Sequence, residues 1–214
     1  DSQVACGTQK KGVAVWSWPE GKLLHEMTVG SSNRPCNYVH YSQCHLHRLV
    51  VGTEDVTDHI LIFDTLVGQH LATLSGHNVN VTCVKYSGRG HFLVSGSGDS
   101  TLKVWSHNED ALISNIDTAA SMVTCLDFDK VRDKVITGST DHSVKMWDIY
   151  DGRHFMEFPR VHTADITSVA VAKDGSFAVS GGYDKKLIVY DLGSKSAKED
   201  ADDNEGDQTL FDDV

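Results

Sequence analysis

The chain has 214 residues, 40% of them hydrophobic and 23% charged, an ordinary globular composition that allows one domain, or two, with a sizeable core. A formal net charge of -11 argues against nucleic acid and anionic membrane surfaces as partners, because both are met by clustered Lys and Arg. No apolar run approaches the length that spans a bilayer, and the opening residues DSQVACGTQKKG lack the basic region and apolar core of a secretory leader.

Taken in chain order, the predicted elements repeat. Residues 4–17 (VACGTQKKGVAVWS) form an apolar run, a small polar turn and a second alternating apolar run. The same plan returns at 49–64 (LVVGTEDVTDHILIFD, two residues longer), 93–106 (LVSGSGDSTLKVWS), 135–148 (VITGSTDHSVKMWD) and 178–191 (AVSGGYDKKLIVYD). The closing aromatics are Trp16, Phe63, Trp105, Trp147 and Tyr190, at gaps of 47, 42, 42 and 43 residues. Each unit reads as strand, tight turn, strand. The full units predict four strands, in the third at about 82–86, 91–95, 102–105 and 112–116. Units two to four read as complete, the first as lacking its innermost strand, and the fifth as stopping at Leu192 before an outer strand. The glycines of SGSGDS are therefore turn residues. A phosphate loop would need a helix opened by Lys-Ser or Lys-Thr, and the strand-like TLKVW follows instead.

With Ser75-Gly76-His77 ahead of the third unit, a true Trp147-Asp148 closing the fourth, and His162, SGGYD and VYD in the fifth, the chain resembles the WD-repeat β-propeller family over about residues 4–193. The resemblance implies an all-β fold of four-stranded antiparallel blades, a partial or small ring. It divides the chain into repeats at about 1–17, 22–64, 69–106, 111–148 and 153–192 within a propeller region 1–193, followed by an acidic, disordered tail 194–214. A seven-blade ring would need about seven times 42 residues, so the chain is read as a piece of a larger propeller, with a small five-blade ring, or an open half-ring completed by a partner, as the alternative. In the family, a His before the first strand, a Ser or Thr on the second, an Asp in the next turn and a Trp on the third form a hydrogen-bonded chain. Carried over, these are His77, Ser95, Asp99 and Trp105 in repeat three. Repeat five offers His162, Ser180 and Asp184, with Tyr190 for Trp. Repeat four offers Thr137, Asp141 and Trp147, but TAASM replaces its Gly-His, and in repeat one Cys6 and Lys10 stand where Ser and Asp would be. Ser, His and Asp also spell a hydrolase triad. Recurrence in several repeats, the lack of a Gly-x-Ser-x-Gly elbow and the structural use of the same groups set that reading aside.

The remaining features are weighed on chemistry. Five Cys (6, 36, 44, 83 and 125) without close pairs read as free thiols of a reducing, cytoplasmic compartment, with Cys83 and Cys125 as small apolar strand residues. Asn80-Val81-Thr82 spells a glycosylation sequon, which only a secreted chain would use. His40, Cys44, His45 and His47 cluster in HYSQCHLHR, but without a Cys-x-x-Cys partner they read as a surface loop and no metal is expected. The tail from Lys195 carries eight acidic and two basic residues and reads as solvated. Its TLFDDV could also serve as a short docking motif or an acidic-type PDZ ligand. The resemblance implies a non-catalytic scaffold whose loops and faces hold proteins or peptides, without cofactor or small-molecule substrate. On the family's usual binding side, Arg34, Asn78, Asn80, His142, Arg160, Tyr183 and Lys185 are candidate contacts, with solvated loops as the plain alternative. Two other roles remain open at this point: the regulatory or sensor propeller of a larger signalling NTPase, and a ubiquitin-ligase substrate receptor. For the latter, the family's Arg two residues after Trp-Asp is replaced by Tyr150. A ligand-binding or enzymatic propeller finds little support in the inner strands VTCVKY, VTCLDF and ITSVAV, which bring no converging carboxylates or His.

Overall fold

The computed structural model describes residues 2–8, 12–29, 36–42, 47–54, 60–88, 90–118, 121–160 and 162–193. Lys10, Arg34, Cys44, His45 and the acidic segment 194–214 lie outside the described residues. The described residues form strands and turns with no helix, and so none long and apolar enough to cross a membrane.

Five antiparallel sheets follow one another along the chain. The first is β1 (Ser2–Thr8), β2 (Gly12–Trp18) and β3 (Leu23–Met27), in that order. The second is β4 (Cys36–Tyr41), β5 (Arg48–Thr53), β6 (Ile60–Asp64) and β7 (Gln69–Leu74). The third is β8 (Val81–Tyr86), β9 (Phe92–Ser97), β10 (Thr101–Ser106) and β11 (Leu112–Asp117). The fourth is β12 (Val123–Asp129), β13 (Lys134–Ser139), β14 (Val144–Asp148) and β15 (His154–Phe158). The fifth is β16 (Ile166–Val171), β17 (Phe177–Gly182) and β18 (Leu187–Asp191). All are four-stranded or three-stranded meanders of the propeller-blade type. The chain divides into two compact units, Asp1–Val123 and Thr124–Val214.

Burial follows strand position. The strands β6, β10 and β14 sit third in their sheets and are buried almost throughout. Their near-continuous apolar runs ILIF, LKVW and VKMW fit a strand covered on both faces. The outer strands β3, β7, β11 and β15 are largely exposed until a last apolar plug, Met27, Leu74, Ile116 and Phe158, each under 5% exposed. In each of the first four sheets a bulge falls just before the closing aromatic where it meets the outer strand, between Val15 and Trp16, Ile62 and Phe63, Val104 and Trp105, and Met146 and Trp147. Pairing in the third sheet runs further than the sequence suggests. β9 continues through Gly96 and Ser97 because Gly96 pairs with both Cys83 and Leu102, so the glycine lies inside the sheet and the turn begins after it.

The first unit holds two cores. One gathers Val13, Val15, Met27, Leu49, Val51 and Phe63, and the other Val50, Ile62, Leu74, Val84, Leu93 and Trp105. The second unit has its own, around Ile136, Met146, Phe158, Ile166, Ala178 and Tyr190. Close approach within these cores depends on glycine. A Cβ added to Gly138 would lie 2.5 Å from Ile166 Cγ2, and Thr124 Oγ1 donates to the carbonyls of both Gly138 and Ile166. Burial pushes the Cys125 thiol up to about 11 and Cys36 up to about 12, so both are poor nucleophiles. Cys83 is 1% exposed within β8, a small apolar side chain in use.

Overpacking a filled site of this kind costs about 1–3 kcal/mol. Gly138→Val is therefore expected to lower stability by that amount, read as a reduced midpoint in urea unfolding with an unchanged slope.

Candidate functional site

The β9–β10 turn places Asp99 so that its Oδ1 accepts the Thr101 N–H at 3.1 Å and the Thr101 hydroxyl at 2.7 Å. Ser100, next in the turn, adopts φ 64. The left-handed residue lets the chain reverse while the Asp side chain closes the turn. Asp99 Oδ2 also accepts the Asn78 N–H at 2.8 Å, and so ties the β7–β8 loop to the turn.

Behind this carboxylate runs a buried chain. His77 Nδ1 lies 3.0 Å from Asp99 Oδ2, His77 Nε2 lies 2.7 Å from Ser95 Oγ, and the Trp105 indole N–H donates to Ser95 Oγ at 2.9 Å. The carboxylate only accepts and the indole only donates. The proton directions then follow: Trp105 to Ser95, Ser95 to His77, His77 to Asp99. Ser95 is fully buried and His77 nearly so.

The fifth sheet repeats the geometry with one change of donor. His162 Nδ1 lies 2.9 Å from Asp184, His162 Nε2 lies 2.7 Å from Ser180 Oγ, and Ser180 Oγ lies 2.6 Å from Tyr190 Oη. A phenol replaces the indole because either can donate to the same hydroxyl. Burial pushes Tyr190 up to about 12, against the Ser180 hydrogen bond, with the charge of Asp184 adding to the rise.

The fourth sheet lacks the His and solves the problem differently. Trp147 Nε1 donates to Thr137 Oγ1 at 2.9 Å, but Asp141 turns to Lys145, whose Nζ lies 2.9 Å from Oδ2. Ser143 donates its N–H and hydroxyl to Asp141 Oδ1. Lys145 was missed by sequence reasoning. The signal was a lysine inside the apolar run SVKMW, opposite the missing Gly-His. In the first sheet Cys6 is exposed, and its thiol contacts only the Gly7 carbonyl among the hydrogen bonds described.

The loop candidates separate by unit. In the first, Asn78 and Asn80 flank exposed Val79, and the Asn80 carbonyl accepts from Ser97 Oγ and the Gly98 N–H. Val79 and half-exposed Met122 both approach Gly98, an apolar pair absent from the sequence-level candidates. In the second unit, Asp165 draws three loops together. Its carbonyl accepts the Tyr183 N–H at 3.0 Å, its carboxylate lies 3.6 Å from His142 Nε2, and the His142 carbonyl accepts the His162 N–H. Tyr183 is 75% exposed, while His142, Arg160 and Lys185 all adopt positive φ. The side chains of Arg160 and Lys185 have no described contact that joins them to this group, and Arg34 lies outside the described residues. His40 Nδ1 accepts the Tyr86 N–H, His47 sits in a turn, and among the described residues no group of three or more His, Cys, Asp or Glu is placed to hold a metal ion.

Repeated antiparallel sheets, the third and fifth locked at the turn by a buried polar chain, define a β-propeller-type repeat protein. The WD domain, G-beta repeat family matches residues 68–106, 112–148 and 155–191, more than half of the chain, and the chain belongs to that family. It is 26% identical over 189 residues to autophagy-related protein 16 of Arabidopsis thaliana, covering 86% of this chain and 35% of that protein. It is 30% identical over 150 residues to nuclear distribution protein nudF of Aspergillus niger, covering 68% and 33%. A crystal structure of the computationally designed Ika8 protein is similar at a TM-score of 0.75 and 26% identity, covering 90% of this chain and 56% of that one. The chain spans about a third of the length of the curated relatives it matches.

Burial works against the Asp99 charge. The Thr101 hydroxyl, the Asn78 N–H and His77 outweigh it and hold the carboxyl at about 2, against a usual 3.8. At Asp184, burial is likewise outweighed by the Thr163 N–H, His162 and the Lys186 N–H, again to about 2. A depressed carboxyl favours the folded state only while ionised. Both contributions are therefore complete above about pH 5 and lost as pH falls from about 4 towards 2. Urea unfolding between pH 2 and 7 is expected to show this acid limb, and Asp99→Asn with Asp184→Asn to flatten it. Lys145→Met leaves Asp141 without its cation and is expected to cost about 1–2 kcal/mol by the same measurement at pH 7.

Proposed function

We propose that this chain is a non-catalytic protein–protein interaction scaffold that uses its turn loops to hold proteins or peptides. The carrying observation is the contrast between the polar chains and the loops around them. Ser95 and Ser180 are fully buried and already engaged on two sides, so neither is open to a substrate as a nucleophile. Those groups serve to stiffen the turns. Beside them, Tyr183 stands exposed on a turn fixed by backbone hydrogen bonds, and tyrosine on a rigid support is a favoured anchor of protein interfaces. Membership of a family whose domains generally mediate protein–protein interactions supports the same reading. On this reading residues 1–193 form the repeat region, 194–214 a solvated acidic tail, and the protein works in the cytoplasm.

The test is affinity purification from a cell extract with the full chain as bait. Tyr183→Ala combined with Lys185→Glu is expected to lose a reproducible set of captured proteins while the melting temperature stays within about a degree, as usual for surface changes. Unchanged capture by this variant, together with hydrolytic activity abolished by Ser180→Ala, would overturn the proposal.

A further inference from the structure

Two lysines hold the same position in successive repeats and meet different partners. Lys103 on β10 and Lys145 on β14 both lie within third strands, 6% and 9% exposed. Each stands opposite one residue of the outer strand, Asn115 for Lys103 and Glu157 for Lys145. A cation taken this far out of water is costly unless an opposite charge meets it. Lys145 is met twice, by Asp141 Oδ2 at 2.9 Å and by Glu157 Oε1 at 3.8 Å. Lys103 Nζ instead donates to the neutral Asn115 Oδ1 at 2.7 Å. No carboxylate among the described residues forms an ion pair with it. The turn carboxylate that serves Lys145 has other work in this repeat, where Asp99 receives His77, the Thr101 hydroxyl and the Asn78 N–H.

The Lys103 ammonium is also held in place. A Cβ on Gly76 would lie 3.9 Å from Lys103 Cδ and Cε and 3.4 Å from Trp105 Cη2, so the loop before β8 closes over the lysine stem. Covered there, the side chain ends at Asn115 on β11, the outermost strand of its sheet. An ammonium has three donors, and Asn115 takes one. Further along β11, Leu112 is 45% and Ile113 51% exposed. A fixed cation beside apolar side chains on a sheet edge suits an extended segment that carries a carboxylate between apolar residues.

We propose that the rim formed by β10 and β11 binds an acidic peptide. A Glu or Asp carboxylate of the peptide pairs with Lys103 Nζ, in the role that Glu157 plays for Lys145, and its apolar neighbours rest on Leu112 and Ile113. Charge selects the occupant: a carboxylate only accepts, which is what an ammonium with one neutral partner lacks. A nucleic-acid phosphate would offer the same chemistry, but the net charge of -11 opposes that partner. The proposal rests on the reading of the chain as a peptide-holding scaffold. It uses none of the residues altered in the capture test above, so the two can fail separately.

The probe is the peptide acetyl-Leu-Glu-Leu-Glu-Leu-amide, titrated into the 15N-labelled full chain and followed by the backbone amide NMR shifts of residues 112–116. Saturable shifts are expected, and about tenfold weaker binding when Gln replaces Glu in the peptide. Lys103→Met is expected to abolish the difference between the two peptides. Asn115→Glu gives Lys103 an internal carboxylate at the position of Glu157. It is expected to raise the melting temperature and to weaken the Glu peptide about tenfold, so it decides the matter even where Lys103→Met fails to fold. No saturable shift at residues 112–116, equal binding of the Glu and Gln peptides, or unchanged Glu-peptide binding by Asn115→Glu overturns the proposal. A lowered melting temperature of Asn115→Glu also overturns it, because the ammonium would then have no use for a carboxylate.

Discussion

A single buried hydroxyl organises each of the third, fourth and fifth sheets. Ser95, Thr137 and Ser180 sit on second strands, out of reach of water, and each takes a hydrogen bond from an aromatic side chain on the third strand. A buried hydroxyl left unpaired would cost free energy. The sheet is therefore stable only when the aromatic lies in one place, and that place brings the third strand into register with the second. In the third and fifth sheets the hydroxyl also engages a His whose far nitrogen meets the turn carboxylate. Register, turn and incoming loop are thereby set together, which is how a backbone rich in exposed turns presents fixed loop positions.

The carboxylates at these turns show how a constraint tolerates different residues. Asp99 and Asp184 are met by His and by backbone N–H groups, whereas Asp141 is met by Lys145 and Ser143. What persists is the need to satisfy a partly buried charge at the turn, and either a loop His or a strand Lys can meet it. The aromatic donor is equally exchangeable, with Tyr190 in place of Trp. Function then rests on what these stiffened turns display. In the second unit Asp165 links the backbone of Tyr183 to His142, and in the first Val79 and Met122 add apolar surface beside the Asp99 turn.

Much of this was legible in the sequence, because hydrogen-bonding chemistry selects residue types at fixed spacing. The glycine turns, the closing aromatics and the Ser, His and Asp positions recur with a regular period. The strands read from that period match the observed ones to within a residue or two at their ends. Among the described residues the first and fifth sheets have three strands each, where the sequence reading had placed repeats short of one strand. The exceptions have physical causes. Gly96 looked like the start of a turn and lies inside the sheet, because a glycine that admits a neighbour's side chain is spelled no differently from one that bends the chain. Lys145 went unmarked in the sequence, because its value depends on the carboxylate four residues earlier in the turn.

By itself the sequence determined the all-β class, the number and order of the repeats and the residues of the polar chains, since each depends on contacts within one repeat. The tertiary structure alone decided which glycines are approached by a neighbour's side chain, that Asp141 pairs with Lys145, and which exposed loop residues meet. The residue that fills a glycine's space lies in the following repeat, so the outcome depends on how two sheets approach. No local pattern carries that information.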